Sequence, residues 1–310
     1  MIKTPVYLHT ACGGKQMKIL FIANPVAGKG RVLKIVPKII NVMSHIDNVE
    51  YNVIYSERAG HATEIAVAGV KNGYDIIFAV GGDGTVNEVA NGLVNSSSAL
   101  GIIPGGSGND FARSLNISGD IEEIIKGSIH GDRRDVDIGL VNGRYFVNIS
   151  SVGFDADVTL SAKKARRFFL SGSAAYIAGL IITIFFRKPS KVRIKLNGME
   201  IRRVILLTVV ANGKFYGGGM LPAPDAVVDD GLFDICVIDN LSKIKLFALF
   251  PKYIKGTHGE LKEVTFYKGQ HVEIDSEEPI SINIDGEISK GNKLDFKILK
   301  RALTVAVPKK

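Results

Sequence analysis

The stretch Asp75-Ile-Ile-Phe-Ala-Val-Gly-Gly-Asp-Gly-Thr85 decides the fold class of this 310-residue chain. A short apolar run follows Asp75, and such a run is typical of a strand that is buried on both faces. A glycine turn follows directly, and Thr85–Leu93 then has the spacing of a helix. A buried strand, a glycine turn and a helix in this order indicate a parallel α/β sheet.

The same alternation of strands and helices extends over the N-terminal part of the chain. Further strands are predicted at Lys18–Ala23, Val49–Tyr55 and Leu100–Pro104, and further helices at Val32–Met43 and His61–Gly69. Together these elements predict an N-terminal α/β domain with a parallel sheet, at residues 17–134.

After Arg134 the pattern changes to short runs in which apolar and polar residues alternate. Turn pairs such as Asn142-Gly143 and Asn197-Gly198 separate these runs. The pattern predicts a mostly antiparallel β-sandwich domain at 135–297 with one inserted helix. We expect residues 298–310 to return to the first domain. Residues 1–16 precede the first strand-like run and are expected to be an extension outside the fold.

Composition and charge exclude several classes of protein. The chain is 46% hydrophobic and 23% charged, which is too apolar for a disordered protein. The two cysteines, Cys12 and Cys236, lie far apart, so we expect no disulfide framework and a reducing cytoplasm. The net charge of +8 suits an anionic partner, such as nucleotide phosphate or an acidic membrane, or serves solubility alone. Nucleic acid is not expected, because no zinc-ligand spacing or base-reading basic helix is present.

One uncharged segment, Phe168 to Phe186, is long enough to resemble a membrane span. Basic clusters lie at both of its ends, so it has no positive-inside asymmetry, and strand-rich sequence surrounds it. We therefore favour a helix that packs on the second domain and touches lipid.

Two glycine loops follow adjacent predicted strands and predict a phosphate-binding site. They are Gly81-Gly82-Asp83-Gly84-Thr85 and Pro104-Gly105-Gly106-Ser107-Gly108-Asn109-Asp110. Ligands of open α/β sheets bind at the carboxyl ends of the strands. Glycines let backbone N–H groups approach phosphate closely, and a helix N-terminus adds partial positive charge. A plain strand-to-helix turn is the alternative, but such a turn needs only one glycine.

A third turn, Asn24-Pro-Val-Ala-Gly-Lys-Gly30, follows the first strand. It differs from a Walker loop because Gly30 stands where Ser or Thr should follow the lysine, so an ordinary P-loop enzyme is disfavoured. Lys29 is a candidate phosphate contact, with a solvated surface lysine as the alternative.

The three loops, in this order and spacing, resemble the diacylglycerol kinase catalytic domain. The resemblance continues through Asp135-Val-Asp137-Ile-Gly, Tyr216-Gly-Gly and Asp229-Asp230-Gly231 to Asp285-Gly286-Glu287, and so covers about 17–308. This family includes soluble bacterial diacylglycerol kinases, sphingosine kinases and YegS-type lipid kinases; NAD kinases and phosphofructokinases share the GGDG element and imply a similar N-terminal fold. The family usually has Thr where Ser107 stands, and both residues carry a hydroxyl.

The resemblance implies a role for each matching residue. Glu287 would be the general base, and Asp83 would position nucleotide phosphates or the catalytic metal. A structural Mg²⁺ would be held by Asp230 with the backbone carbonyls of Val227 and Leu232. Asp137 and Asp285 would form a supporting network. ATP would be surrounded by Asn24, Ser56, Gly82, Asp83, Gly84, Thr85, Asn87, Glu88 and Ser107.

Physical chemistry is consistent with two of these roles. A carboxylate such as Glu287 can accept a hydroxyl proton during phosphoryl transfer, and adjacent acids such as Asp229 and Asp230 suit Mg²⁺. Both motifs are also ordinary Asp-Gly hairpin turns when judged alone.

The sequence therefore predicts an ATP-dependent lipid kinase that acts at the inner face of the membrane, with diacylglycerol as first substrate. Sphingoid bases, undecaprenol and phosphatidylglycerol stay open as acceptors, and the resemblance also implies a homodimer. An NAD kinase-like enzyme explains GGDG but not the second loop. A non-catalytic nucleotide-binding module is disfavoured, because Asp83, Asp230 and Glu287 are all present.

Overall fold

The computed structural model describes residues 16–153 and 189–309. The apolar segment at 168–186 and nearly all of the predicted N-terminal extension lie outside these residues. The described helices are α1 Arg31–Met43, α2 His61–Lys71, α3 Asp83–Leu93, α4 Asp110–Ser114, α5 Ile121–His130 and α6 Lys243–Lys255. The described strands are β1 Met17–Ala23, β2 Val49–Tyr55, β3 Ile76–Gly81, β4 Ala99–Pro104, β5 Asp132–Val141, β6 Arg144–Phe146, β7 Ile149–Gly153, β8 Ser190–Leu196, β9 Met199–Ala211, β10 Phe233–Asp239, β11 Val264–Gly269, β12 His271–Ile284 and β13 Glu287–Val307.

The chain divides into two compact units. Of the described residues, the first contains 16–138 and 300–309, and the second contains 139–153 and 189–299. The predicted domain limits, at 134/135 and 297/298, lie a few residues earlier. Strands β5 and β13 explain the offset. Each boundary between the units falls inside one of these strands, where no turn residue marks it in the sequence.

Four parallel strands form the centre of the first unit, in the order β2, β1, β3, β4. Every residue of β3 is buried, as its continuous apolar run requires. The C-terminal part of β13 joins this sheet, where Val305 pairs in parallel with Leu100. Helix α1 buries Val32, Ile35, Val36 and Ile39 on one face, which matches the spacing in the sequence.

Antiparallel strands build the second unit, in the order β11, β10, β9, β7, β12, β13. Alternate residues of β10 enter two apolar clusters: Phe233 and Ile235 lie in one, and Cys236 and Ile238 in the other. Because side chains alternate along a strand, the two clusters cover opposite faces of the sheet.

Helix α6 was not predicted from the sequence. It packs Leu246, Leu249 and Tyr253 into the second cluster. Its outward face also contains apolar residues, and this weakens the two-sided pattern by which a surface helix is recognised. Among the described residues, no helix combines the length and the apolar character that crossing a membrane requires.

Candidate active site

The two glycine loops of the first unit lie in backbone contact. Gly105 donates its N–H to the carbonyl of Gly81 at 2.8 Å. A Cβ atom at Gly106 would lie 2.3 Å from the Cα atom of Gly82, so any larger side chain would force the loops apart. The loops follow β3 and β4, which pair in parallel, and their contact therefore lies at the carboxyl ends of adjacent strands.

The Asp83 carboxylate joins the second loop to the first. Its Oδ1 atom accepts the backbone N–H groups of Asp110, at 2.6 Å, and Phe111, at 3.4 Å. Asp110 is itself buried and pairs with Arg113 at 2.6 Å. Asp83 thus satisfies donors at the start of α4, which have no partner within that helix.

The turn after β1 packs against the same loops. Asn24 donates its side-chain amide to the hydroxyl of Thr85 at 3.2 Å. A Cβ atom at Gly28 would lie 2.1 Å from the carbonyl oxygen of Gly105. Gly28, Lys29 and Gly30 all have positive φ, at 56°, 58° and 83°, and the Lys29 side chain is exposed. Three loops of the first unit therefore adjoin one another.

The other residues predicted to surround ATP have different surroundings. Ser56 is buried directly after β2, and its N–H bonds to the carbonyl of Ala23 at 2.9 Å. Glu88 accepts the N–H of Ala62 at 3.1 Å and so caps the N-terminus of α2. Asn87 accepts hydrogen bonds from the Asn91 side chain. Gly84 and Ser107 are exposed.

In the second unit, Asp285 fixes the hairpin between β12 and β13. Its carboxylate accepts the backbone N–H groups of Val147 at 2.7 Å, Asn148 at 3.2 Å and Ile149 at 2.9 Å. Asp285 has a φ of 44°, and Gly286 follows with a φ of 95°. The pair forms the turn that the Asp-Gly signal predicts.

Glu287 stands at the start of β13, immediately after this turn. Its side chain is 62% exposed and forms an ion pair with the guanidinium of Arg144, on β6. An exposed carboxylate can reach a substrate, and the guanidinium limits the directions in which it points.

Asp230 lies in a second acidic turn. One carboxylate oxygen accepts the N–H of Leu232 at 3.0 Å, and the other lies 3.4 Å from the ammonium of Lys268. Lys268 also bonds to buried Asp234 at 2.9 Å. Burial raises the pKa of Asp234, and Lys268 opposes this effect. Burial lowers the pKa of Lys268, but its two aspartate partners outweigh burial and raise the pKa above its usual value.

The residues around Asp230 fit the predicted Mg²⁺ in chemistry. The described residues contain no cluster of three or more His, Cys, Asp and Glu side chains that could hold a metal ion. A site here would instead combine the Asp230 carboxylate with the carbonyls of Val227 and Leu232 and with water, all hard oxygen donors of the kind that Mg²⁺ accepts. The Lys268 ammonium would share that carboxylate with the metal.

Asp137 is fully buried on β5, in the first unit. Its carboxylate accepts the backbone N–H of Arg301 at 2.8 Å, where Arg301 has a φ of 52°. Asp137 thus anchors the C-terminal strand.

Arg144, Lys268 and Asp234 were missed by the sequence analysis. Each is a lone charged residue in a strand, and no local pattern distinguishes such a residue from a solvated one. Pairing of β10 with β11 places Lys268 opposite Asp234. Arg144 on β6 and Glu287 at the start of β13 meet only in the folded chain.

Comparison with known proteins agrees with this architecture. The family model described as "Diacylglycerol kinase catalytic domain" matches residues 18–141, and the one described as "YegS C-terminal NAD kinase beta sandwich-like domain" matches residues 148–307. The chain is 31% identical to a diacylglycerol kinase of Bacillus subtilis (strain 168) over 300 residues, or 95% of this chain and 97% of that protein. It is 29% identical to a diacylglycerol kinase of Staphylococcus carnosus (strain TM300) over 297 residues, with 95% and 96% covered.

A solved structure of a diacylglycerol kinase from Bacillus anthracis str. Sterne has the same fold. It superposes with a TM-score of 0.73 at 24% identity and covers 95% of this chain and 98% of its own. The family models span both parts of the chain, and the relatives extend over nearly all of it. The chain therefore belongs to the diacylglycerol kinase family.

Proposed function

We propose that this chain transfers the γ-phosphoryl group of ATP to the hydroxyl of diacylglycerol, giving phosphatidic acid and ADP. The observation that carries the proposal is the contact between the two glycine loops at the ends of β3 and β4. Phosphoryl transfer needs little covalent help from a protein; it needs positioned phosphates and oriented dipoles. Glycine loops at the start of a helix provide both. The family relatives named diacylglycerol kinase favour a lipid acceptor.

We propose that ATP binds at the three adjoining loops of the first unit. The first turn of α3 presents N–H groups and partial positive charge to the phosphates. Asn24, Thr85 and Ser107 offer hydroxyl and amide groups, and exposed Lys29 offers an ammonium. Gly82 and Gly84 let the backbone approach closely. Ser56, Asn87 and Glu88 complete the predicted set, and the hydrogen bond of Glu88 to α2 gives it a positioning role as well.

Glu287 is the proposed general base. As the lipid hydroxyl oxygen bonds to the γ-phosphorus, the bond from that phosphorus to the β-phosphate oxygen breaks and ADP leaves. The hydroxyl proton passes to the Glu287 carboxylate. Arg144 orients this carboxylate and is proposed as a positioning residue.

Mg²⁺ and the membrane complete the proposal. The metal, held by Asp230 with the carbonyls of Val227 and Leu232, would stabilise the turn that contains them; a second ion would accompany ATP and neutralise charge on its phosphates.

Because the substrate is a membrane lipid and the co-substrate is ATP, we infer peripheral association with the inner face of the membrane. A homodimer stays a prediction.

The test is transfer of labelled γ-phosphate from Mg-ATP to lipids in mixed micelles. The panel contains diacylglycerol, sphingosine, phosphatidylglycerol and undecaprenol, with NAD as the water-soluble control. We expect label on diacylglycerol, and we expect Glu287→Gln to lower kcat by about 100-fold or more with ATP binding unchanged. Glu278→Gln, an exposed glutamate on β12, is the matched control and should be fully active.

Each other outcome changes the proposal in a defined way. Label on another lipid would reassign the acceptor and keep the reaction class. Label on NAD alone would reassign the acceptor from a lipid to NAD. Tight ATP binding without any transfer would favour a regulatory module, and full activity of Glu287→Gln would remove it as the base.

A further inference from the structure

Helix α6 exposes a stripe of apolar side chains on its outward face. Ile244 is 83% exposed, Phe247 54% and Ile254 41%. Ala248 and Pro251, which lie between them, are also exposed. These positions follow one another at helical spacing, so they share one face. Exposed large apolar residues that are scattered singly need no explanation, but a contiguous stripe does.

The fold does not require this stripe. Leu246, Leu249 and Tyr253, on the inward face of α6, already anchor the helix in the second apolar cluster. The Ser242 hydroxyl accepts the N–H of Lys245 at the N-terminus, and Gly256 ends the helix with a φ of 74°. The helix is thus held and capped without any contribution from Ile244, Phe247 or Ile254.

Lysines border the stripe, and α6 contains no acidic residue. Lys245 bonds to Glu263 at 2.6 Å, and Lys252 bonds to Glu260 at 2.8 Å. Lys243 and Lys255 are exposed near the two ends of the helix. An apolar stripe with a lysine border matches a surface in which acyl chains lie beneath anionic headgroups.

We propose that the outward face of α6 docks the protein onto an anionic lipid surface. Ile244, Phe247 and Ile254 enter the boundary between headgroups and acyl chains, and the lysines contact lipid phosphates. A protein partner fits less well, because protein interfaces are depleted in lysine. This inference rests on the proposed lipid kinase function, since it identifies the surface through which the enzyme reaches a substrate in a bilayer.

Sedimentation with vesicles tests the docking surface. The vesicles contain phosphatidylcholine and phosphatidylglycerol in equal amounts, and the double variant Ile244→Ser/Phe247→Ser is compared with the wild-type protein. We expect the affinity of the variant for vesicles to be lower by at least about tenfold, because both side chains lose their burial in lipid. Met199→Ser removes an exposed apolar side chain elsewhere in the second unit and should bind like the wild type. High salt should weaken wild-type binding, since the lysine contribution is screened.

Activity on two forms of the substrate separates docking from catalysis. The double variant should lose activity on long-chain diacylglycerol in vesicles, yet keep wild-type kcat on short-chain diacylglycerol dispersed as monomers. Vesicle binding by the double variant that equals that of the wild type would overturn the proposal. A wild-type protein that is a dimer in sedimentation velocity and a double variant that is a monomer would also overturn it. Vesicle binding without kinase activity in the wild type would leave the surface intact and overturn the proposed function instead.

Discussion

At the scale of single residues, Asp83 has one observed task and one proposed task, and the two can be separated. Its Oδ1 atom accepts backbone N–H groups at the start of α4, which holds the second glycine loop in place. The family resemblance implies a further task, in which the negative charge positions phosphates or metal. Asparagine retains a side-chain oxygen that can accept the N–H groups, whereas alanine does not. The two substitutions therefore distinguish the structural task from the electrostatic one.

We predict that Asp83→Ala lowers the free energy of unfolding by about 1–3 kcal/mol, because the N–H of Asp110 loses its acceptor. Asp83→Asn should stay close to the wild type in stability and still lose most of its kcat. Urea denaturation and steady-state kinetics measure the two effects. If Asp83→Ala were as stable as the wild type, the hydrogen bond would not support the loop; if Asp83→Asn were fully active, the charge would have no role.

Arg144 allows a second test at this scale. We predict that Arg144→Ala lowers kcat by about tenfold, because the Glu287 carboxylate is no longer held in one orientation. KM for ATP should not change, and Arg144→Lys should recover part of the activity by restoring the charge. Arg193→Ala is the control, since Arg193 forms a comparable exposed ion pair with Asp275 at 2.6 Å. A change in KM for ATP would contradict a positioning role, and so would an equal decrease in kcat in both alanine variants.

At the scale of elements, the contact between the glycine loops depends on the absence of side chains. We predict that Gly106→Ala destabilises the protein by about 1–3 kcal/mol and weakens ATP binding, because its Cβ atom would lie 2.3 Å from the Cα atom of Gly82. Gly84→Ala is the matched control for stability. Apart from its chain neighbours and the backbone of its own helix, no atom lies within 4 Å of its Cβ position, and alanine favours the helix in which it stands. Denaturation midpoints and calorimetric ATP titration check both effects, and equal stability of the two variants would contradict the predicted clash.

Elements with a repeating local pattern were predictable from the sequence. Strand β3 and helix α1 lie within one residue of their predicted bounds, because burial on one or both faces leaves a period in the sequence. Strand β12 covers two of the short runs that follow Arg134 in the sequence, His271–Ile274 and Ile280–Ile284, each of which alone predicts a separate strand. It is a single strand with a register shift between Asp275 and Ile280, and the polar residues between the two runs conceal its continuity.

The candidate site was predictable only as far as its residues are local. The three loops and the Asp285 turn could be recognised because, in each, the polar residues are adjacent to the glycines of the turn in the sequence. The hydrogen bond of Asp83 to Asp110 and the ion pair of Arg144 with Glu287 join residues 27 and 143 positions apart. No periodicity encodes such pairs.

At the scale of the whole molecule, the two compact units can unfold in separate transitions, and a buried titratable group serves as a probe of its own unit. His258 is such a probe in the second unit. It is fully buried, its Nε2 atom lies 3.2 Å from the carbonyl oxygen of Pro222 and 3.6 Å from the thiol of Cys236, and its ring packs on Tyr253 and Phe266. Burial lowers the pKa of His258 and raises the pKa of the Cys236 thiol.

The pKa of His258 gives stability a predicted dependence on pH. Because the folded pKa lies below the unfolded value of about 6.5, the unfolded chain binds the proton more readily as pH falls. The contribution of His258 to the free energy of unfolding is therefore fully present above about pH 6.5. Below that pH it decreases, by at most about 1.4 kcal/mol per pH unit for one proton. We expect the urea midpoint of the wild type, followed by far-UV circular dichroism since the chain has no tryptophan, to fall between about pH 7.5 and about pH 5.5. His258→Gln should be less stable at the higher pH and fall less steeply, whereas His45→Gln, at an exposed histidine, should fall like the wild type. Equal slopes in His258→Gln and the wild type would show that another group binds the proton.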